Sequence, residues 1–328
     1  MVHIAFVIDP LETLNLKKDS TLAMVRAAQR RGWQVSVLEQ SGLVWDGERV
    51  IALARNLRLE EGFVETLDPA HACAQWFLCG EEEPHALGEI DVVMMRKDPP
   101  FDMDYIYSTY LLERGQSEGA LVVNDPRSLR DCNEKFFATA FAKYQPASLV
   151  SCREDLLLAF HRDQGDVIFK KLDGMGGMSI FRASKNDPNV RVIVETLTDN
   201  GRRQIMAQRY IPEIADGDKR ILLIDGEPLP YALARVPASG ETRGNLAAGG
   251  TGVGQPLSRR DKEIAKALGP ELRARGLTFV GIDVIGDYLT EVNVTCPTCI
   301  RELDAFFGLD IASTLLDAIE QKLPEAPQ

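Results

Sequence analysis

The sequence predicts an α/β protein: an N-terminal domain on a mostly parallel sheet, followed by a second region where hairpins carry the charged residues. Three observations predict it. Residues 2–8 (VHIAFVI) are a continuous apolar run, the pattern of a strand buried on both faces. A helical stretch at 20–31 and another apolar run at 33–38 follow, which completes an opening βαβ unit. Far downstream, apolar runs at 278–285 and 288–294 flank Gly286-Asp287, a hairpin turn signal.

Taken in order, Asp19 or Ser20 caps the first helix, with Leu22, Val25 and Ala28 on one face and Gly32 as its stop. Asp46-Gly47 marks a hairpin continued by 48–59. Residues 62–88 are acidic with few periodic cues and predict no element. Residues 91–95 read as a strand closed by Arg96-Lys97-Asp98-Pro99-Pro100, 105–114 as a helix and 121–123 as a strand. This first unit spans about 125 residues, an ordinary domain size.

In the second region, 133–144 and 154–161 read as helices, the latter presenting Leu157, Leu158 and Phe160 for packing. Residues 167–170 form a strand ending at Lys170, and 179–181 resume the strand pattern. Helix 188–197 starts at Asp187-Pro188, and strand 205–211 contains Gln208 and Tyr210. Residues 218–224 and 229–234 pair across Asp225-Gly226 and bring Arg220 and Arg235. The glycine-rich tract 238–254 holds Arg243 and reads as a mobile lid or a linker. Helix 258–275, stopped by Gly276, leads into the 278–294 hairpin, and 311–322 is a terminal amphipathic helix. No internal repeat is present.

Composition bounds the function. A chain of 328 residues, 45% hydrophobic and 26% charged, accommodates two domains. A net charge of −12 argues against a nucleic-acid surface, and no apolar run approaches the roughly 18 residues that span a bilayer. Residues 1–8 run straight into Asp9-Pro10 and are expected to be a strand rather than a signal peptide. Six cysteines, with Cys296 and Cys299 in C-x-x-C spacing but no second such pair, fit free thiols of a cytoplasmic protein rather than a zinc tetrad.

Two stretches carry chemistry. Lys170 before Gly174, Gly176 and Gly177 suits a triphosphate: an ammonium neutralises charge while residues lacking Cβ let backbone N–H groups approach. There is no G-x-x-x-x-G-K-[ST], and the first βα turn lacks G-x-G-x-x-G. In the late hairpin, Asp283, Glu291 and Asn293 are oxygen-bearing residues inside apolar strands. Glu291 and Asn293 share a face. A simple two-residue turn pairs Asp283 with Thr290 and aims it the other way; a three-residue loop, or one bulge, brings all three together. The latter is expected, because buried carboxylates need a partner and a hard cation such as Mg²⁺ supplies one.

These pieces resemble a known family. NLKKDS at 15–20, MRKDPPFD at 95–102, SLRDCNEK at 128–135, LDGMGG at 172–177, DGDKR at 216–220, ETRGNLAAGG at 241–250 and the LTE-x-N-x-T-x-PTCIRE run at 289–302 are similar to the bacterial glutathione synthetases of the ATP-grasp superfamily. Two positions depart from the family pattern: Lys171 where proline is usual and Cys296 where serine is usual. The resemblance implies an N-terminal parallel-sheet (pre-ATP-grasp) domain, 1–125, then a two-lobed ATP-grasp domain with a small lobe, 126–206, and a catalytic lobe, 207–328, whose loop 236–254 is mobile. It implies that Lys135, Lys170, Gly174, Gly176 and Gly177 hold ATP phosphates, and that Gln208, Tyr210 and Ile211 face adenine. Asp283, Glu291 and Asn293 would hold Mg²⁺, with Mn²⁺ as an alternative. Arg220, Arg235 and Arg243 would face the reacting groups; Asp19, Ser20, Arg96, Asp98 and Arg301 would face the dipeptide. The implied reaction joins γ-glutamylcysteine to glycine, in a homotetramer. Rival readings are a ligase for another acid and amine, a binding module without catalysis, and a thiol-redox protein.

Overall fold

The structure, a computed structural model, describes residues 1–60, 76–238, 240–241, 244 and 249–324. Its first sheet grows from the apolar run: β1 (His3–Val7) has every side chain from Ile4 to Val7 fully buried. Helix α1 (Ser20–Arg30) begins where the Asp19 carboxylate accepts the Leu22 N–H at 2.9 Å. Then come β2 (Gln34–Leu38), β3 (Leu43–Trp45), β4 (Val50–Leu59), β5 (Phe77–Ala86), β6 (Val92–Met95), α2 (Met103–Glu118) and β7 (Leu121–Val123). The sheet runs β3-β4-β2-β1-β6-β7, with β5 on the far side of β4. β2, β1, β6 and β7 are parallel, as expected; β3, β4 and β5 add an antiparallel wing, so the sheet is mixed.

Strand β5 falls where no element was expected. Its Glu81-Glu82-Glu83-Pro84 segment is exposed at the sheet's edge, so neither face shows the alternation that marks a half-buried strand. Its polar edge has a use: it blunts strand addition by another chain.

The expected helix over 133–144 is not formed as one piece. Asp125 accepts the Ser128 N–H and Pro126 occupies the first turn, so α3 (Pro126–Asp131) starts early and ends early. Asn133 then turns the chain, accepting the Phe136 N–H at 3.0 Å, and a 3₁₀ stretch (Phe137–Tyr144) follows, interrupted at Phe141.

The next lobe is β8 (Ser148–Ser151), α4 (Glu154–Gln164), β9 (Val167–Lys171), β10 (Ile180–Ala183), α5 (Val190–Thr198) and β11 (Ile205–Arg209). Its antiparallel sheet, β10-β9-β11-β8, has a core of its own, including Leu157, Phe169, Val194, Leu197 and Ile205. The last sheet, β14-β13-β12-β15-β16, is also antiparallel. It contains β12 (Asp218–Ile224), β13 (Glu227–Val236), β14 (Thr251–Pro256), β15 (Phe279–Ile285) and β16 (Tyr288–Asn293), with α6 (Arg259–Ala274) packed on it. Helices α7 (Ile300–Phe307) and α8 (Ile311–Glu320) close the chain, α8 against α1. No described helix is long and apolar enough to cross a membrane.

The glycine tract is shorter than expected, because 251–256 pairs with β13. Glycine permits that strand: a Cβ on Gly254 would lie 2.8 Å from the rings of Phe306 and Phe307. Arg243 lies outside the described residues.

One side chain joins the first and last sheets. Asn124 donates from Nδ2 to the carbonyls of Phe279 and Val294, each at 2.8 Å, and accepts the Phe279 N–H at 2.8 Å. Asn124→Ala strands these three buried groups, so denaturant unfolding should show a loss of about 2–3 kcal/mol. A loss below about 0.5 kcal/mol would show that the joint holds without it.

Candidate active site

The late hairpin sets the geometry. Gly286, at φ +55°, makes the tight turn between β15 and β16, and one bulge follows. Val284 pairs with Leu289, but Asp283 pairs with Glu291, leaving Thr290 as the extra residue. The Thr290 hydroxyl donates to the Asp283 carbonyl at 3.1 Å across that gap. Gly281 then pairs with Asn293. The bulge therefore puts Asp283, Glu291 and Asn293 on one face, the second of the two arrangements open to the sequence.

Two arginines from neighbouring strands meet this face. Arg220 on β12 lies beside Asp283 and donates from Nε at 2.5 Å and Nη2 at 3.0 Å, a bidentate pair. Its passage depends on Gly281: a Cβ there would lie 2.9 Å from the Arg220 Cδ. Arg235 on β13 reaches Asp283 at 2.9 Å and also Asp218. Asn293 donates to Asp283 at 3.2 Å and to the Gly281 carbonyl at 3.0 Å. Burial works against ionisation of Asp283, but Arg220 and Arg235 outweigh it and hold the carboxyl far below the usual range.

The lysines come from the other side of the cleft. Lys170, on β9, and Lys135, from the turn after α3, each place Nζ 3.6 Å from Glu291 Oε1. Lys170 also donates to Gln208 Oε1 at 3.3 Å, and Lys135 donates to the Gly174 carbonyl. Both ammonium groups are buried. Burial lowers the pKa of Lys170, with Glu291 opposing; burial opposes ionisation of Glu291, and the two lysines more than offset it. Gly176 and Gly177, at φ +58° and +81°, turn the loop beside them, a conformation that side chains rarely tolerate.

Two cavities share this wall. One, of about 770 Å³, runs from Lys135, Lys170, Gly174, Gly176 and Gly177 past Gln208, Tyr210 and Ile211, with Ile168, Ile180, Ile214 and Met175 as apolar lining. Apolar walls with a few placed polar and charged groups are the lining of a nucleotide pocket. The other, of about 860 Å³, is polar, lined by Arg220, Arg235, Asp283, Glu291, Asn293, Asp98, Thr295 and Cys296. They meet at Lys135, Gly174, Met175, Gly176 and Glu291.

Both regions of the chain match one family. Residues 2–130 match the N-terminal domain of prokaryotic glutathione synthetase, and 134–308 match its ATP-grasp domain. The chain belongs to the prokaryotic glutathione synthetases. It is 56% identical over 322 residues to the glutathione synthetase of Pseudomonas aeruginosa, covering 98% of each chain. It is 52% identical over 323 residues to that of Vibrio parahaemolyticus, covering 98% of this chain and 99% of the other. Among solved structures, D-cycloserine synthetase DcsG superposes with a TM-score of 0.66 at 13% identity, over 98% of this chain and 100% of that one. The ATP-grasp ligase PsnB, complexed with minimal precursor, Mg and ADP, gives 0.60 at 16%, over 97% of each. The fold is that of the ATP-grasp ligases, and the chemistry is ATP-dependent carboxylate–amine ligation in glutathione biosynthesis.

In this synthetase the residues expected at the dipeptide end divide. Asp98 stands in the wall of the polar cavity. Asp19 caps α1, and Ser20 accepts the Ile300 N–H at 3.3 Å. Buried Arg96 bonds Thr21 at 3.2 Å and the Pro297 carbonyl at 3.0 Å, while Arg301 donates to the Leu16 carbonyl. These side chains fasten the N-terminal domain to the 297–301 segment just behind Cys296. The Cys296 thiol donates to the Arg96 carbonyl at 3.2 Å, and burial raises its pKa to about 12, so it is no nucleophile at neutral pH. All five described cysteines are free.

Sequence reasoning missed two carboxylates. Asp218 lines the first of the two cavities, and its Oδ1 is buried without a hydrogen-bond partner. Burial first, then the charges of Asp283 and Glu291, raise its carboxyl to about 6 against the pull of Arg235. Glu134 accepts from the Thr295 hydroxyl at 2.8 Å. Both sit inside motifs quoted for the family, DGDKR and SLRDCNEK, but each is flanked by glycine or polar residues, so no local apolar pattern singled it out.

Proposed function

We propose that the two cavities form one reaction cleft in which ATP activates the C-terminal carboxylate of γ-glutamylcysteine for attack by the amine of glycine. One observation carries this: two buried lysines converge on Glu291 where a pocket of mixed apolar and polar lining opens into a pocket lined by arginines. The adenine end is assigned to Gln208, Tyr210 and Ile211, and the phosphates to Lys135, Lys170 and the 174–177 loop.

A divalent cation fits the hairpin by donor chemistry. Glu291 and Asn293 supply hard oxygens on one face, and Asp283 lies beside them, its own oxygens held by Arg220 and Arg235. Among the described residues no three His, Cys, Asp or Glu side chains form a complete cage, which suits a metal that takes the rest of its ligands from phosphate and water. Bound there, Mg²⁺ or Mn²⁺ would neutralise phosphate charge.

No side-chain nucleophile is required. The substrate carboxylate takes the γ-phosphoryl group to give an acyl phosphate and ADP; the glycine amine then displaces phosphate, forming the peptide bond and releasing a proton. Lys135 and Lys170 offset charge on the phosphates, and Arg220 and Arg235 offset charge near the acyl group. Arg243 and the loop around it would exclude water that otherwise hydrolyses the acyl phosphate. The division into 1–125, 126–206 and 207–328 follows the same reading, as do a homotetrameric assembly and a cytoplasmic location.

The test is ADP release with γ-glutamylcysteine and glycine, with the product mass measured. ADP formation only with another acid or amine would move the chain to a different ligation. For the nucleotide itself, the unpartnered Asp218 oxygen suits a hydroxyl donor such as ribose. Asp218→Ala should weaken ADP binding by about tenfold in calorimetry, the value of one charge-assisted hydrogen bond. Unchanged affinity would remove Asp218 from the nucleotide site.

A further inference from the structure

The segment 133–135 touches both lips of the cleft. Toward the glycine loop, Asn133 donates to the Leu172 carbonyl at 3.1 Å and Lys135 donates to that of Gly174. Toward β16, besides the Lys135–Glu291 ion pair, the fastening comes from Glu134. Its carbonyl accepts the Val292 N–H at 2.8 Å. Its Oε1 accepts the Val294 N–H at 3.1 Å, the Thr295 N–H at 3.3 Å and the Thr295 hydroxyl at 2.8 Å. Those bonds bracket Asn293, the last residue of the strand that also carries Glu291, and end two residues beyond it. The segment has no regular helix of its own to hold it, since α3 stops at Asp131 and the 3₁₀ stretch starts at Phe137.

We infer that Glu134 is a positioning residue: its clasp on 292–295 fixes the neighbouring Lys135 opposite Glu291, so that one phosphoryl group meets both sides of the cleft together. A carboxylate suits the task, because one oxygen here gathers three donors, and charge strengthens each bond. Without the side chain, the Val294 and Thr295 N–H groups lose their acceptor, and the segment keeps on the hairpin side only the Val292 N–H bond to its own carbonyl and the Lys135–Glu291 ion pair. The lysine would then be held less firmly against the hairpin, while its tie to the glycine loop is unchanged. This inference rests on Lys135 being a phosphate ligand, as proposed above.

The experiment is a double-mutant cycle read by calorimetric titration of ADP with magnesium into the full chain. Glu134→Ala should weaken ADP binding by about tenfold, and Glu134→Gln, which keeps an acceptor oxygen, by about threefold. In a Lys135→Ala background, Glu134→Ala should add less than about twofold, because the lysine it positions is gone. The same penalty in both backgrounds would overturn the inference and leave the phosphate role of Lys135 intact. Lys135→Ala with unchanged ADP affinity would overturn that phosphate role and the inference with it. Should Glu134→Ala fail to fold, Glu134→Gln carries the identical cycle, with loss of its penalty in the Lys135→Ala background as the supporting result.

Discussion

Glu291→Gln should lower turnover by about 10²–10³-fold while the fold survives, the loss seen when one electrostatic contact at a reacting centre is removed. The substitution keeps the shape of the side chain and deletes the charge that balances Lys135 and Lys170, each 3.6 Å away. Two effects then act together. A hard-cation site loses its one carboxylate that is not held by arginine, so more metal is needed to reach any given rate. The lysines also face one another without an anion between them until phosphate arrives, which favours nucleotide binding in the absence of metal. ADP release should therefore fall and its dependence on Mg²⁺ shift upward, with the fold retained at some cost in thermal stability because two buried lysines lose their common anion. Full activity at matched Mg²⁺ would show that Glu291 is not part of the metal face.

Asp283→Asn should have the largest effect on stability. Arg220, Arg235 and Asp283 are 6%, 4% and 2% exposed, and the carboxylate is the partner common to both guanidinium groups. Breaking a buried pair by removing one partner leaves charge uncompensated and costs about 3–5 kcal/mol. Asp218 still faces Arg235, so Arg220 is the group left exposed to that cost. The pH dependence has a definite sign. A carboxyl whose folded pKa is depressed adds stability above its unfolded value, roughly 3.9, and loses it only as pH falls through the folded pKa. Between neutral pH and about 4, where ordinary carboxyls begin to protonate, the Asp283 contribution should stay intact. Denaturant unfolding of wild type and variant from pH 7 to 4 would show a constant gap; a gap that closes by pH 5 would contradict the pairing.

The cleft was legible in the sequence because its chemistry violates the local pattern. Lys170, Asp283 and Glu291 interrupt apolar strands, and such residues need partners. A shared face for Asp283, Glu291 and Asn293 was expected, but the choice between a three-residue loop and a bulge was not legible. Gly286-Asp287 alone specifies a two-residue turn, and the structure has that turn and a bulge besides, because Thr290 steps out of the pairing and bonds back to Asp283. Strands β5 and β14 escaped for opposite reasons. The first is an exposed edge with glutamates on it; the second is glycine-rich where phenylalanine rings press on it. Helix α7 was hidden behind Cys296-Pro-Thr-Cys299, which reads as a loop and also supplies the turn before it. The run 133–144 has the polar start and apolar body of a helix, but Pro126 and Asp125 capture the helix start upstream. Glu134 was therefore placed on a helix face instead of under β16, and its grip on Thr295 could not be foreseen.

A crystal structure with a non-hydrolysable ATP analogue and magnesium tests the shared claim most directly. The result expected is a triphosphate lying between Lys135 and Lys170 on one side and a cation held by Glu291 and Asn293 on the other, with the base beside Gln208 and Tyr210. A nucleotide bound away from these lysines, or phosphates pointing away from the hairpin, would contradict it.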